Sequence, residues 1–223
     1  LWTWGNNSYG QLGLGDLTHR SSPVQVGTNT WSSVAGNVYG HTVAIRSDGT
    51  LWAWGNNSFG QLGQGNYVHL SSPVQIGTSN GWSSVSCGYG NAFAIRSSGI
   101  LYSWGLTTFG QTGTAYSSAP MQVGTSTWSK ISAGYIHTSA IRSDNTLWTW
   151  GNNSFGQLGD YQTFPYLVQK LTGNNWSSVS TNQDNTLLTK IDGTIWSVGN
   201  NSFGALGLSN TTTYYSPVQI GTI

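Results

Sequence analysis

Short segments of strand-forming residues, separated by turns, run along the whole chain. In the unit from Trp31 to Gly77, WSSVA is followed by a glycine-containing loop, then by HTVAIR, the turn SDGT, LWAWG, a long loop and PVQIG. Val, Ile, Thr and Trp are enriched in these segments, as is typical of β-strands. Glycine interrupts almost every window of about ten residues and no 3.6-residue apolar period develops, which disfavours helix. The pattern predicts an all-β fold with four strands, A to D, in each unit.

The third strand of the unit is apolar on both faces. Leu51 and Ala53 point to one face, and Trp52 and Trp54 to the other. A strand in a sheet with one solvent-exposed face would alternate apolar and polar residues, so this strand belongs to a sheet that is covered on both sides. Before it, the Asp48-Gly49 step predicts a tight B to C hairpin with both residues at positive φ.

The unit recurs throughout the chain. LWTWGNNSYGQLG at Leu1 returns as LWAWGNNSFGQLG at Leu51, LYSWGLTTFGQTG at Leu101, LWTWGNNSFGQLG at Leu147 and IWSVGNNSFGALG at Ile195. A period near 48 residues with strand-type composition is typical of propeller blades of four strands. We therefore treat residues 1–223 as a single repeat domain, with repeats starting at 1, 51, 101 and 147 and a partial one at 195. All 12 tryptophans fall at recurring positions, and we interpret them as packing between blades.

These motifs resemble a known family. The combination of [DN]-G-T-L-W-x-W-G-N-N-x-[FY]-G-Q-L-G, S-P-V-Q and W-x-x-V-x-x-G-x-x-H-T-x-A-I is similar to the regulator of chromosome condensation repeat, whose proteins typically form seven-bladed propellers. Strands A to D are complete four times, from Trp31, Trp82, Trp128 and Trp176, while residues 1–27 supply only C and D. Since seven blades need about 340 residues, we expect four and a half blades of such a ring, completed by further residues of a longer chain, another domain or a neighbouring copy.

The resemblance leaves the function open. Members of the family include a nuclear exchange factor for a small GTPase that docks on nucleosomes, secreted β-lactamase inhibitors, a plant ultraviolet-B receptor and modules of surface proteins. The chain has no basic tail for chromatin, and Tyr39, Tyr89 and Tyr135 stand where the receptor has its Gly-Trp-Arg-His-Thr motif. Both of these activities are disfavoured.

The low net charge of the chain limits the classes of partner that it can bind. Seven Lys and Arg stand against six Asp and no Glu, for a formal net charge of +1, and no basic cluster occurs, which argues against nucleic acid. No apolar stretch reaches the roughly 20 residues that span a bilayer. The lone Cys87 excludes an intrachain disulfide framework.

The titratable residues do not form a catalytic pattern. Arg46, Arg96, Arg142 and Lys190 occupy one repeat position, and three Asp residues follow in the hairpin turns, where Asp commonly bonds the backbone. His41 and His137 start strand B, and we expect each to bond the A to B loop. His19 and His69 occupy matching loop positions but have no third metal ligand. We therefore predict no enzyme activity, no cofactor and no metal.

The recurring GNN turns carry NNS sequences at Asn6, Asn56, Asn152 and Asn200. Because Asn tolerates positive φ, we interpret these residues as turn formers before glycan acceptors.

Variation between repeats concentrates in the A to B and C to D loops, which antiparallel strands place at one rim. Tyr with Ser, Thr and Asn is a composition that binding surfaces use. The alternative is that these rings only pack onto the blade edge. The candidate binding residues are Tyr39, Tyr89, Tyr135, His19, Tyr67, His69, Tyr116, Tyr161, Phe164, Tyr214 and Tyr215.

Two functional hypotheses follow. The first is a non-enzymatic binding or structural module on a cell or virion surface, with an adhesion, tail-fibre-like or assembly role and a protein or glycan partner. Its location would then be extracellular, at the cell surface or in a virion. The alternative is an intracellular, cytoplasmic regulator that grips a partner protein, such as a small-GTPase exchange factor, for which we expect a charged, non-repeating patch.

Overall fold

The computed structural model describes residues 1–161, 168–169 (backbone only) and 173–221, and all the regular elements among them are β-strands. The chain divides into two compact units. One comprises Leu1–Leu106 and Tyr116–Thr125, and the other Thr107–Ala115 and Ser126–Ile223.

The first unit begins with a two-stranded sheet, β1 (Trp2–Gly5) and β2 (Arg20–Gln25). Blade 1 follows with the strand order β3 (Trp31–Gly36), β4 (His41–Arg46), β5 (Leu51–Gly55) and β6 (Leu70–Gln75). Blade 2 is built from β7 (Trp82–Gly88), β8 (Asn91–Arg96), β9 (Ile100–Gly105) and the first part of β10 (Ser117–Ala133). Each neighbouring pair with a defined register is antiparallel.

The second unit repeats the arrangement. Blade 3 contains the second part of β10, β11 (His137–Arg142), β12 (Leu147–Gly151) and β13 (Val168–Gln169). Blade 4 contains β14 (Trp176–Thr181), β15 (Asn185–Lys190), β16 (Ile195–Gly199) and β17 (Tyr214–Gln219). The prediction of an all-β fold of four-stranded antiparallel blades is confirmed.

Within each unit, consecutive blades pack through a tryptophan of the third strand. Trp54 is fully buried, and its Nε1 donates to the carbonyl of Gln11 in the preceding repeat at 2.9 Å. Trp104 does the same toward Gln61 at 2.8 Å. Its ring lies so close to Gly63 that a Cβ there would approach its Nε1 to 3.0 Å, so the glycine of GQLG is needed for this contact. Trp54 and Trp104 therefore join blades, as the sequence predicted. The prediction does not hold for all 12 tryptophans, because Trp2 and Trp4 are 57% and 61% exposed and Trp52 contacts Trp31 of its own blade.

The predicted bounds of strands B and C in blade 1 agree with the structure, but strand D does not. β6 begins at Leu70, three residues before the predicted start at Pro73, and ends at Gln75. Its register with β5 shifts between Ala53 and Gly55, and this irregularity lets the strand extend back to Leu70.

The B to C turn is also built differently from the prediction. Arg46 N donates to Thr50 O at 3.0 Å, so the loop has three residues, and only Gly49 has positive φ (+81). Such a three-residue hairpin places a single residue in the left-handed region. In blade 3 that residue is Asn145, with φ +64. The Asp48 carboxylate accepts bonds from the N and Oγ1 of Thr50, as expected of Asp in a turn.

The C to D loops are held by the asparagines of GNN, which form the turn as predicted, although through hydrogen bonds and not through positive φ. The preceding Gly55 has positive φ (+102), and only glycine fits there because Gly40 leaves no room for a Cβ. Asn56 Oδ1 accepts a bond from Ser58 N. Asn57 is fully buried, accepts a bond from Leu62 N and donates to the carbonyls of Asn66 and Val68. The long loop is thus tied to a buried side chain.

Candidate functional site

Each blade has two chemically different ends. The A to B and C to D loops leave at one end, which we call the loop end, and the B to C turns and D to A links leave at the other, the turn end. The predicted binding residues belong to segments at the loop end. Among them, Phe164 lies outside the described residues.

Tyr39 and Tyr89 pack against each other at the loop end of the first unit. Their ring centroids are 4.4 Å apart, and Tyr39 also stacks on Phe59 at 5.4 Å with an interplanar angle of 19°. Phe59 in turn covers Gly90, where a Cβ would come within 2.7 Å of its ring. Both tyrosines are half-buried. They join the loops of consecutive blades, so the alternative that the rings pack onto the blade edge describes them well.

Tyr67 and Tyr116 form a more exposed pair. Their side chains lie 56% and 46% exposed. Tyr116 Oη donates to Tyr67 Oη at 3.1 Å and also lies 3.3 Å from the carbonyl of Phe59. Partial burial, and then the hydrogen bond and charge of Tyr67, raise the pKa of Tyr116 to about 12. The phenol of Tyr116 therefore stays protonated at neutral pH, and the pair presents hydrogen-bonding groups beside apolar rings.

His19 and His69 are exposed, and each imidazole bonds the backbone of its own C to D loop. His19 Nδ1 accepts a hydrogen bond from Asn7 N at 2.9 Å, and His69 Nδ1 accepts one from Asn57 N at 2.8 Å. The ring of Tyr9 meets that of His69 edge to face at 5.5 Å. Among the residues that the structure describes, no group of three His, Cys, Asp or Glu side chains is placed to hold a metal ion.

In the second unit, Tyr161 and Tyr215 stack with centroids 4.9 Å apart and an interplanar angle of 9°. Tyr161 is 80% exposed, whereas Tyr215 is half-buried against Gly156. The hydroxyl of Tyr214 accepts a bond from Asn210 at 3.3 Å. Tyr135 is half-buried, and its backbone N donates to Asn182 O. The structure thus forms separate aromatic clusters in the two units.

Sequence reasoning missed a set of exposed rings at the loop end. They are the aromatic residues that follow the GNN turns, or the corresponding GLT turn of blade 2, and we interpreted them as scaffold because they recur. The exposed members are Tyr9 (43%), Phe109 (44%), Phe155 (40%) and Phe203 (97%). A ring directly after a polar turn, with only Gly following, was the signal that could have identified them. Val38 and Val68 add exposed apolar surface in the same loops, at 91% and 62%.

The described loop ends carry little charge. The charged side chains described there are Asp16, Arg20, Asp160 and Asp184. Asp16 and Arg20 neutralise each other in an ion pair of 2.6 Å. The predicted surface is therefore aromatic and polar, with few charged groups.

His41 and His137 are buried residues of the scaffold. Burial lowers the pKa of each to about 4, so both are neutral at pH 7. His137 Nε2 bonds Thr186 Oγ1 of the next blade at 3.1 Å, while the ring packs over Gly134 of the A to B loop. For His137, the expected bond to the A to B loop is thus replaced by one to the neighbouring blade. For His41 the expected bond is not found either, because neither ring nitrogen has a hydrogen-bond partner among the described residues.

The described residues include no helix with the length and apolar character needed to cross a bilayer.

The fold is that of a β-propeller assembled from four-stranded blades. A model of the regulator of chromosome condensation (RCC1) repeat matches residues 1–45, 48–95 and 192–223, which is more than half of the chain. A second model of the same repeat matches 32–61, 82–111 and 128–157. The chain belongs to the RCC1 repeat family. No curated protein matches it closely in sequence.

Solved structures share the fold at low identity. Human WBSCR16 is 20% identical with a TM-score of 0.86, over 99% of this chain and 62% of that protein. Yeast RCC1 (Prp20), in its complex with Kap60, is 21% identical with a TM-score of 0.81, over 95% and 54%. Prp20p from Saccharomyces cerevisiae, described with its binding properties to Gsp1p and histones, is 20% identical with a TM-score of 0.82, over 98% and 56%. The chain spans less than two thirds of each.

Proposed function

We propose that this chain is a non-enzymatic binding module for a protein partner, and that it contacts the partner through the loop ends of its blades. The observation that carries the proposal is the pair Tyr67 and Tyr116, exposed by 56% and 46% beside uncharged loops. Tyr161, stacked on Tyr215 and 80% exposed, supplies the equivalent surface in the second unit.

The chemistry of these rings suits protein binding. Tyr brings a large contact area at a small cost in conformational entropy, and its hydroxyl adds a hydrogen bond at the edge of the contact. Tyrosines are also enriched among the residues that dominate binding free energy. The rings of Tyr39, Phe59 and Tyr89 hold the loops of consecutive blades together. These packed loops support the exposed pair of Tyr67 and Tyr116.

Two classes of partner fit the propeller. We favour a surface-exposed role, on a cell or a virion, because the described loop ends carry few charged groups and are rich in Tyr. The alternative is an intracellular regulator, since Prp20p has binding properties to Gsp1p and histones. A histone is strongly basic and favours an acidic contact surface, whereas the described loop ends carry only the carboxylates of Asp16, Asp160 and Asp184, and Asp16 is already neutralised by Arg20.

Matched variants test the proposal. Tyr67→Ala and Tyr161→Ala remove exposed rings at the loop ends, while Thr78→Ala and Ile191→Ala alter exposed residues at the turn ends of the same units. Affinity is measured by surface plasmon resonance for small GTPases with and without nucleotide, for purified core histones, for extracellular proteins of the source cell and for an array of glycans.

For the protein that binds, we expect at least one loop-end variant to weaken affinity by roughly tenfold or more. The turn-end variants should leave it unchanged. Equal effects of all four variants, or binding of glycans alone, would contradict the proposal.

A further inference from the structure

The turn end of every blade contains a cation lying over aromatic rings. The guanidinium carbon of Arg46 is 3.4 Å from the centroid of Trp52 and 5.3 Å from that of Trp31. Arg142 repeats these distances at 3.4 Å and 5.2 Å in blade 3. In blade 4, Lys190 Nζ lies 4.1 Å and 5.2 Å from the corresponding rings. Cation and π system attract each other, so the stack stabilises this end of the blade.

A short hydrogen-bond chain accompanies the cation in three blades. In blade 1, Trp52 Nε1 donates to Thr50 Oγ1 at 2.7 Å, and Thr50 Oγ1 donates to the Asp48 carboxylate at 2.6 Å. The same Asp, Thr and Trp chain occurs in blades 3 and 4. In blade 1, Thr50 first and then the charge of Arg46 hold the pKa of Asp48 below its usual value. The carboxylate thus partly neutralises the stacked cation.

Blade 2 departs from this pattern at all three positions together. Ser98, Ile100 and Tyr102 replace the Asp, Thr and Trp of the other blades, while the cation, Arg96, is kept. The arginine also lies differently, with its guanidinium carbon 4.2 Å from the ring of Trp82 and 5.6 Å from that of Tyr102. Within the described residues none of the four stacked cations forms a close ion pair. In blades 1, 3 and 4 the turn Asp acts on the cation at longer range, and blade 2 has no such Asp. Blade 2 therefore presents a stacked arginine without its counter-charge.

A cavity of about 370 Å³ opens at this arginine, within the first unit. Its apolar lining includes Ile76, Tyr102 and Pro120, and the backbone of Gly63 and Gly77 completes part of the wall. The volume lies at the lower end of the range for small-molecule sites. The corresponding crevice beside Arg46 measures about 260 Å³.

Two buried donors belong to the residues that line the cavity. Trp82 is 7% exposed, and its Nε1 has no hydrogen-bond partner among the described residues; the same holds for Nε of Arg96. Arg96 Nη1 donates to the carbonyl of Asn80 at 2.9 Å, which fixes the guanidinium in place. The unpartnered donors recur beside Arg46 and Arg142, so the lost carboxylate is what distinguishes blade 2.

We propose that this cavity of blade 2 binds a small organic carboxylate with an apolar body. The carboxylate lies beside Arg96 and supplies the negative charge that the turn Asp supplies in the other three blades, and the apolar body lies against Ile76, Tyr102 and Pro120. Arginine suits this role because its planar fork of donors matches a carboxylate, and charge-assisted bonds in a partly buried site are stronger than neutral ones. This site is at the turn end and is independent of the loop-end surface proposed above.

The test uses benzoate as the probe, with benzamide as the uncharged analogue and inorganic phosphate as an anion without an apolar body. Binding is followed in ¹H–¹⁵N NMR spectra through the indole signal of Trp82, which is assigned by its loss in Trp82→Phe. We expect benzoate to shift this signal in a saturable way and both other probes to bind at least about tenfold more weakly. The remaining indole signals report whether the fold is intact.

Two variants and a control complete the design. Arg96→Gln removes the charge, and Ser98→Asp restores the carboxylate that three other blades carry at this position, so each should weaken benzoate binding by roughly tenfold or more. Arg142→Gln, at the same position of blade 3, should leave it unchanged. The proposal is overturned if benzoate does not shift the Trp82 signal, if benzamide or phosphate binds equally well, or if Ser98→Asp binds like the unmodified protein.

Discussion

Acidification from pH 7 to pH 5 should destabilise this protein through two buried histidines. His41 and His137 are 1% and 0% exposed, and burial lowers the pKa of each from 6.5 to about 4. In the unfolded chain they titrate near 6.5, so between these two values the unfolded state binds more protons than the folded state. The contribution of the two neutral histidines to the free energy of unfolding is therefore fully present above about pH 6.5 and is lost progressively as the pH falls toward 4.

The size of the effect follows from the shift. One pKa unit corresponds to about 1.4 kcal/mol, so the charging of each histidine lowers the free energy of unfolding by up to about 3 kcal/mol once the pH has fallen below 4. Between pH 7 and pH 5 the loss is about 2 kcal/mol for each histidine.

Urea-induced unfolding, followed by tryptophan fluorescence at pH 7 and at pH 5, measures this loss. The matched variants are His41→Asn and His137→Asn, because Asn91 and Asn185 occupy the same position in blades 2 and 4. Each variant should reduce the pH-dependent loss by about 2 kcal/mol. If the two variants lost as much stability as the unmodified protein over this range, the attribution to these histidines would be wrong.

Three further effects follow from individual contacts. Trp54→Phe removes the Nε1 bond to the partly buried carbonyl of Gln11, which keeps only the bond from Thr42 Oγ1. The free energy of unfolding should therefore fall by about 1 kcal/mol in urea titrations; no change would show that the bond between repeats is unimportant. Asn145→Gly relieves φ +64 in the turn of blade 3 and should raise the midpoint of thermal unfolding slightly, whereas Asn145→Val should lower it. Tyr67→Phe removes the hydroxyl that bonds Tyr116, so the pKa of Tyr116 should fall from about 12. It should remain above its ordinary value because burial is the larger cause of the shift. ¹³C NMR of labelled tyrosine measures this pKa, and an unchanged value would contradict the pairing.

The repeat pattern predicted the strands well because each strand is a local run of β-forming residues with a fixed place in the period. Strands B and C of blade 1 begin and end where the sequence indicated. The start of strand D was missed because Leu70 joins the sheet through an irregular register with β5, which no local pattern shows. Likewise, Asp48-Gly49 indicates a turn, but only the hydrogen bond from Arg46 to Thr50 fixes its loop length at three residues.

The binding surface could be predicted only in outline. Tyr39 and Tyr67 look alike in the sequence, since both stand in variable loops. Tyr39 is half-buried because the fold brings Phe59 and Tyr89 against it, while Tyr67 is 56% exposed. The replacement of Asp, Thr and Trp in blade 2 is visible in the repeats, but the cavity beside Arg96 depends on how strands of two blades pack together.

The most direct test of the proposed function is site-specific photo-crosslinking to a bound partner protein. A photoreactive amino acid is placed at Tyr67 or Tyr161 of the loop ends, and at Thr78 or Ile191 of the turn ends. Contact through the loop ends predicts cross-links from Tyr67, Tyr161 or both, and none from the two turn-end positions. Cross-links confined to Thr78 and Ile191 would contradict a binding surface formed by the loop ends.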